Sequence, residues 1–456
     1  MTEFISSQMK AFHIPGAAVG IIHRDSIIYL RGFGAADDAG RPVTPQTPFL
    51  IGSNSKSFTA LAVMQLVEAG KVNLDAPVRQ YLHWFQLQDA KASEAITVRH
   101  LLNQTGGLPT AAGFSPPASP DPRVAAEHYA AELRGLRPAH PPGQHFEYCN
   151  LNFEILGMLV EAVAQQPYAA YVQEHVLGPL GMRSTYLTYE DATTHGLAGG
   201  HQYIFGFPVR TSPRRYGPHA VAAGGIASTA EDMCRYLIAQ LDGGAYEGRQ
   251  VIAPTGLALM HEPRSEIGSA YGMGWFIRPW NGLKSINHTG LNQNFSSMMN
   301  ILPEKGYGVI ILTNVNSFSV LGKNNLMDGV IRRLHGQERR SYWPQELLIR
   351  LLLLAALLCV FVRLALQAWK WRRLRYAVAI RLTTRVLFTL AAGLMMQTVW
   401  LVLIPAYADA PVRALFDFQP DIGYGLAFGA VGTFLNTLLG AFIKSCAPGR
   451  RPSTVG

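Results

Sequence analysis

Apolar positions are arranged in two different ways along the 456-residue chain: short runs broken by polar turns, then long uninterrupted stretches near the C-terminus. Ala17 to Ile22 and Ile27 to Leu30 are apolar runs joined by Arg24-Asp25-Ser26, a pattern that predicts a β-hairpin. From Ser57 to Val72 the apolar residues Phe58, Leu61, Met64, Leu66 and Val67 recur at helical spacing and predict a helix. The middle reads as helical and loop-rich, with the Pro-dense stretch Pro116 to Pro122 expected to be surface loop. Strand-like runs return at Met273–Ile277, Ser285–His288, Ser296–Leu302 and Gly308–Thr313, and Leu321–Leu334 closes with a helix. Strands at both ends with helices between predict one α/β domain over residues 1–340, its largely antiparallel sheet drawn from both termini.

Residues 341–456 read as a membrane domain of about three transmembrane helices, 347–366, 386–404 and 422–443. Each approaches the ~20 residues that cross a hydrocarbon core. The first holds the apolar run Leu351 to Val362 between Arg350 and Arg363, which would snorkel to opposite headgroup regions. The last carries Gly425 and Gly429 four apart, a spacing that permits close helix packing. Lys370, Arg372, Arg373, Arg375, Arg381 and Arg385 fill the first connection, whereas the second holds Asp409 and Asp417 with Arg413. Lys444, Arg450 and Arg451 follow the last span. The positive-inside rule then places the first connection and the C-terminus in the cytoplasm and the catalytic domain outside, in a multi-pass membrane protein. Met1 to Gly20 contains no basic segment followed by an apolar one, so either the natural start lies upstream of Met1, which is the expectation, or the domain stays inside and the charge rule fails.

Charge sharpens this division. Of 39 basic and 30 acidic residues, 12 and 4 fall from residue 341 onward, so the tail carries +8 and residues 1–340 only +1. The globular part is electrically neutral, which argues against a nucleic-acid partner. Charged residues are 15% of the chain, against roughly 25% in an average soluble domain. That deficit fits membrane lipid as a partner. Cys149, Cys234, Cys359 and Cys446 form no CxxC pair and no metal-ligand spacing, so neither a disulfide framework nor a structural zinc is expected.

Three short motifs could carry chemistry. Ser53 and Lys56 lie three apart where the predicted helix opens, on one face, with the hydroxyl near the positive end of the helix dipole. A lysine there can take the serine proton if its pKa is lowered. Ser7 and Lys10 share the spacing with nothing to support catalysis, so spacing alone assigns nothing. Tyr148-Cys149-Asn150 places a phenol and an amide on one side of an extended segment, suited to proton shuttling and to binding a carbonyl. Cys149 would point away as a packed thiol. His288-Thr289-Gly290 ends a predicted strand, where glycine lets a substrate approach the backbone, threonine offers a hydroxyl and histidine carries a partial charge near neutral pH.

Taken in order, SxxK, YxN and a basic residue before Thr-Gly, these motifs resemble the serine β-lactamase and penicillin-binding-protein superfamily. Tyrosine in the middle motif makes the likeness closest to the class C β-lactamase and DD-peptidase branch. Ile14-Pro15-Gly16-Ala17-Ala18, Leu101-Leu102-Asn103-Gln104-Thr105-Gly106-Gly107-Leu108-Pro109, Gly224-Gly225-Ile226-Ala227-Ser228-Thr229 and Tyr271-Gly272-Met273-Gly274-Trp275 match as well, so the resemblance spans about residues 10–335. It implies the β-lactamase/DD-peptidase-like fold, an antiparallel sheet flanked by helices plus a helical subdomain. It implies that Ser53 attacks a carbonyl to form an acyl-enzyme, that Lys56 and Tyr148 share the base work, and that Asn150 holds the substrate. His288, Thr289, Gly290 and Leu291 would line the substrate, with the Ser53 and Leu291 amides as oxyanion hole. No metal or organic cofactor is implied. His288 stands where the family's KTG has a lysine that attracts a substrate carboxylate, which points toward less specialised members such as esterases and D-amino-acid peptidases.

The expected function is a membrane-anchored serine hydrolase acting outside the cell on D-amino-acid peptide, amide or ester bonds, with peptidoglycan fragments as natural partners. A promiscuous esterase is the alternative within enzymes. A non-catalytic sensor of cell-wall fragments is the alternative outside them. No GxSxG surrounds Ser53, which argues against an unrelated α/β-hydrolase.

Overall fold

The computed structural model describes residues 1–114, 122–204, 206–212, 217–316, 326–337, 355, 357–367, 369 and 420–446. The helices that matter below are α1 (Thr2–Ala11), α2 (Ser55–Glu68), α3 (Pro122–Gly135), α4 (Asn150–Ala164), α5 (Ala230–Leu241), α6 (Leu326–Leu334), α7 (Leu357–Gln367) and α8 (Pro420–Cys446). The main strands are β1 (Gly16–His23), β2 (Ser26–Gly34), β3 (Phe276–Trp280), β4 (Leu283–Leu291), β5 (Ser296–Leu302) and β6 (Tyr307–Thr313). The chain divides into two compact units, Met1–Gln202 with Pro208–Tyr342, and Tyr203–Phe207 with Trp343–Gly456.

In the first unit a six-stranded sheet runs in the order β2-β1-β6-β5-β4-β3, antiparallel throughout. N-terminal β1 pairs with C-terminal β6 in the register Ala17 to Thr313, so both ends of the domain supply the sheet, as the apolar pattern predicts. Seven successive residues of β1 are buried. Successive side chains alternate faces, so both faces of this strand are covered. On one face α5 comes so near that a Cβ on Gly20 would lie 2.3 Å from the Cys234 sulfur. Glycine there is what lets the helix reach the sheet.

Helix α2 is apolar nearly all round, and eleven of its residues are buried, the signature of a core helix. It begins two residues before the expected Ser57 and stops four before Val72. Gly70, at φ +68°, turns the chain into the left-handed region, and Gly70 N and Lys71 N cap the carbonyls of Val67 and Leu66.

The strand expected at Met273–Ile277 is displaced to Phe276–Trp280. Its apolar run is spent differently: Gly274 takes φ +78°, and a Cβ there would sit 2.9 Å from the Lys56 carbonyl oxygen. Met273 and Trp275 are buried core residues of a turn pressed on α2, not strand positions. The strand expected at Ser285–His288 is longer, running from Leu283 to Leu291. The Pro116–Pro122 loop falls outside the described residues except for Pro122, which opens α3. Residues 321–325 of the closing helix also lie outside them.

The second unit contains α8, 27 residues long, in which Gly425–Phe442 is long and apolar enough to cross a membrane. The shorter apolar helix α7 covers the end of the first expected span, and 386–404 lies outside the described residues. Gly425 and Gly429 are buried. Gly432 provides a close approach, since a Cβ there would meet Val360 at 2.5 Å, and Asn436 donates to the Val360 carbonyl at 3.2 Å.

Candidate active site

The serine sits in a tight 3-10 turn, Gly52–Asn54, immediately before α2. Gly52 takes φ +53°, and a Cβ there would lie 2.5 Å from the Leu291 amide nitrogen. A Cβ on Gly290 would lie 1.8 Å from the Ile51 carbonyl oxygen. The two glycines thus allow the turn and the end of β4 to press together backbone to backbone. The sequence reading gave Gly290 to the substrate; the structure gives that space to Ile51. Ile51 N also bonds the Ile226 carbonyl, Ser55 Oγ bonds the Gly52 carbonyl, and Asn54 donates to Ser297 Oγ, so the turn is held from every side. Ser53 itself stays partly open to solvent.

Lys56, one turn into α2, is fully buried. Its Nζ donates to Ser53 Oγ at 3.0 Å, Asn150 Oδ1 at 2.7 Å and the Ala223 carbonyl at 2.6 Å. Burial pushes its pKa down from 10.5 to about 7, against the opposing pull of Glu154. Near neutral pH a substantial fraction of Lys56 is therefore an uncharged amine able to accept a proton from Ser53.

Tyr148 lies just ahead of α4, with its ring 5.0 Å from Lys56 Nζ and its hydroxyl near enough to Ser53 to feel it electrostatically. Burial raises its pKa well above the phenol range, so it rests protonated. Asn150 is the first residue of α4 and also donates to the Gly113 carbonyl at 3.2 Å. Cys149 between them is a packed thiol, buried, pushed up to about 12 and bonded to the Pro109 carbonyl.

His288 departs from expectation in its charge. It is buried and its pKa falls to about 3, through desolvation first and then the nearby Lys56 and Arg278. Its Nδ1 lies 2.7 Å from the Thr289 carbonyl, which can only accept, so Nδ1 carries the proton. Nε2 then accepts from the Tyr271 hydroxyl at 3.2 Å. The ring is a neutral imidazole with both nitrogens satisfied, not a partial cation. Strand alternation puts Thr289 on the sheet face opposite His288 and Gly290. The motif therefore turns inward His288, Gly290 and, through its backbone, Leu291, but not Thr289 in the same direction.

Several residues around the site carried no role in the motifs. Tyr271 forms an aromatic group with Phe146, Tyr148, Phe276 and His288, ring centroids lying 4.7 to 6.2 Å apart. Gln104, a non-glycine at φ +58°, accepts from Cys149 N at 3.0 Å and from Asn152, and its carbonyl accepts from Glu147 N. It braces the segment that carries Tyr148. Both residues sit in segments that matched the family, Leu101–Pro109 and Tyr271–Trp275, where the sequence offered a match without a task. The Gly224–Thr229 segment likewise backs the serine turn, through Ile226 and the adjoining Ala223 carbonyl.

The β-lactamase family model matches residues 1–328, a span that includes every residue of this site. The chain belongs to the β-lactamase family. Among the relatives of this β-lactamase-family protein, the protein flp of Staphylococcus aureus (strain MW2) is 27% identical over 379 residues, covering 81% of this chain and 74% of the relative. Penicillin-binding protein 4 of Amycolatopsis lactamdurans is 28% identical over 316 residues, covering 66% and 81%. The octameric penicillin-binding protein homologue from Pyrococcus abyssi superposes with a TM-score of 0.61 at 28% identity, covering 74% of this chain and 77% of that one. These likenesses place the chain in the superfamily of serine hydrolases that holds β-lactamases and penicillin-binding proteins, with its sheet-and-helix fold.

Proposed function

We propose that the protein is a membrane-anchored serine hydrolase that forms an acyl-enzyme on Ser53 and acts on amide or ester bonds, D-amino-acid peptides of the cell wall included. The observation that carries this reading is Lys56 Nζ at 3.0 Å from Ser53 Oγ, buried enough to be half uncharged near pH 7. Lys56 takes the serine proton as Oγ attacks the carbonyl carbon. Tyr148, too weak an acid to rest as phenolate, relays protons between Ser53 and the leaving group. Asn150 holds both Lys56 and the substrate amide or ester oxygen. The amides of Ser53 and Leu291 receive the oxyanion, each such donor being worth about 3–4 kcal/mol in comparable sites. Water then releases the acyl group by the same route in reverse. The apolar stretch Gly425–Phe442 supports the anchoring, and the basic first connection and C-terminus support an outward-facing catalytic domain.

A second reading is favoured by one feature, the neutral and fully bonded His288. A neutral group does not attract a carboxylate, and the aromatic side chains beside it, Phe146 among them, suit an apolar acyl group. A promiscuous esterase fits that wall better than a β-lactamase does.

The deciding experiment offers the detergent-solubilised full chain a fluorescent penicillin, a D-Ala-D-Ala peptide and p-nitrophenyl esters, and maps acyl adducts by peptide mass spectrometry. Turnover of at least one class, an adduct on Ser53 and loss of activity by ~10³-fold or more in Ser53→Ala are expected. Full activity in Ser53→Ala sinks the mechanism. Ester turnover with neither penicillin adduct nor peptide cleavage selects the esterase.

A further inference from the structure

Close enough to Lys56 for each to feel the other's charge, a carboxyl group is buried that the acyl-transfer chemistry does not use. Glu154 lies four residues after Asn150 on α4, so both project from one face of the helix toward Lys56. Only 4% of Glu154 is exposed. The titratable groups acting on it are Lys56 from α2 and Tyr129 and Glu132 from α3, while Cys149 on the preceding loop feels its charge. Lys56 in turn faces Ser53, Tyr148, Cys149, Glu154 and the neutral His288.

Two observations beyond burial mark this corner. The Tyr129 hydroxyl is itself buried and has no hydrogen-bond partner in good geometry, although it lies beside the Glu154 carboxyl and favours its ionised form. Tyr129 and Glu132, with Ala112, Leu133, Leu136 and Leu151, also line a cavity of 140 Å³. That is room for several waters, which need polar partners to stay, and the orphaned hydroxyl and Glu132 are such partners. The acid beside the buried base thus lies next to Tyr129, whose side chain lines a cavity that can hold water.

We propose that Glu154 is a positioning residue that governs when Lys56 can act as a base, its carboxyl exchanging protons with solvent through the Tyr129 hydroxyl and water in the adjoining cavity. Ionised Glu154 holds Lys56 as ammonium. When the carboxylate takes a proton, an O–H bond forms and one buried negative charge disappears. The ammonium then loses its compensation and releases a proton more readily, leaving the electron pair on Nζ for the serine proton. Glu154 touches neither the substrate nor Ser53. It acts only through the charge that Lys56 feels.

The inference rests on Lys56 being the base for Ser53, and its test separates the two. The rate of p-nitrophenyl ester turnover as kcat/KM is measured from pH 5 to 9 for the full chain, Glu154→Gln, Glu154→Asp and Tyr129→Phe. In Glu154→Gln the acid limb is expected to move about one pH unit lower, the size of one charge acting over a few ångströms at an effective dielectric near 20. Tyr129→Phe raises the Glu154 pKa and should move the limb the same way by less. Glu154→Asp should restore the native limb. A titration of Lys56 by ¹⁵N NMR in Glu154→Gln reads the same shift without turnover, so it decides even if Ser53→Ala proves fully active. A folded Glu154→Gln protein whose acid limb and Lys56 midpoint both match the native values overturns the proposal, because a merely structural role lowers the rate without moving either. If Glu154→Gln fails to fold, an unmoved limb in Tyr129→Phe overturns it instead.

Discussion

At the residue scale, burial decides which groups near Ser53 can move protons. Lys56 comes down to about 7 and His288 to about 3, both chiefly by desolvation, while the same burial carries Tyr148 upward. Lys56 must be uncharged to take a proton, so the rate should rise through an acid limb centred near pH 7. His288, already neutral across that window, should contribute nothing to it. His288→Asn keeps a neutral hydrogen-bonding side chain and is expected to leave the shape of the kcat/KM profile from pH 5 to 8 unchanged. Loss of the Tyr271 bond should cost about 1 kcal/mol of stability in urea unfolding. A profile that loses a limb on this substitution would show His288 titrating after all. The five motif residues Ser53, Lys56, Tyr148, Asn150 and His288 were legible because hydroxyl, amine, phenol, amide and imidazole are a short list of chemistries in a telling order. Glu154 carried no role in the motifs, although an acid followed by the apolar stretch Ile155 to Val160 was a visible signal. The partial charge expected of His288 was wrong, because its neutrality depends on burial, with a tyrosine seventeen residues away in sequence bonded to the ring.

At the scale of elements, the site depends on two pieces of backbone in contact. The alternation of apolar runs predicted the hairpin, α2 and most strands of the sheet, since side-chain periodicity is set by local geometry. It misplaced β3, because Met273 and Trp275 are apolar for the sake of packing on α2. No periodicity reveals that a turn will be clamped by a strand more than two hundred residues later. Gly290→Ala tests this clamp: its Cβ would collide with the Ile51 carbonyl, an atom of the main chain that cannot swing aside. Destabilisation of about 3 kcal/mol and loss of turnover are expected, the upper range for overpacking. Gly135→Ala, where a Cβ meets nothing within 4 Å, should be neutral by the same melting assay. Equal effects in both would remove the clamp argument.

For the whole molecule, the tail shows how far composition reaches. An apolar stretch without charge is legible as a length, and α8 supplies one. Which way the catalytic unit would face a bilayer is an expectation drawn from the charges of the connections and not from any packed element. The pairing of a buried amine with a buried acid also bears on how firmly the entire chain holds together. Between pH 4.5 and 7 the folded protein keeps a proton on Glu154 that the unfolded chain has lost, so this group's contribution falls as pH rises. Between 7 and 10.5 the unfolded chain keeps a proton on Lys56 that the folded protein has shed, so stability climbs again. Each slope is at most ~1.4 kcal/mol per pH unit. Urea midpoints taken across this range should pass through a shallow minimum near neutrality, and Glu154→Gln should erase its acidic side. A midpoint that instead peaks near pH 7 would mean other groups outweigh the pair. Readiness to accept the serine proton and resistance to unfolding are then opposed within this pair, whose contribution to the fold is smallest at the pH where Lys56 first gives up its proton.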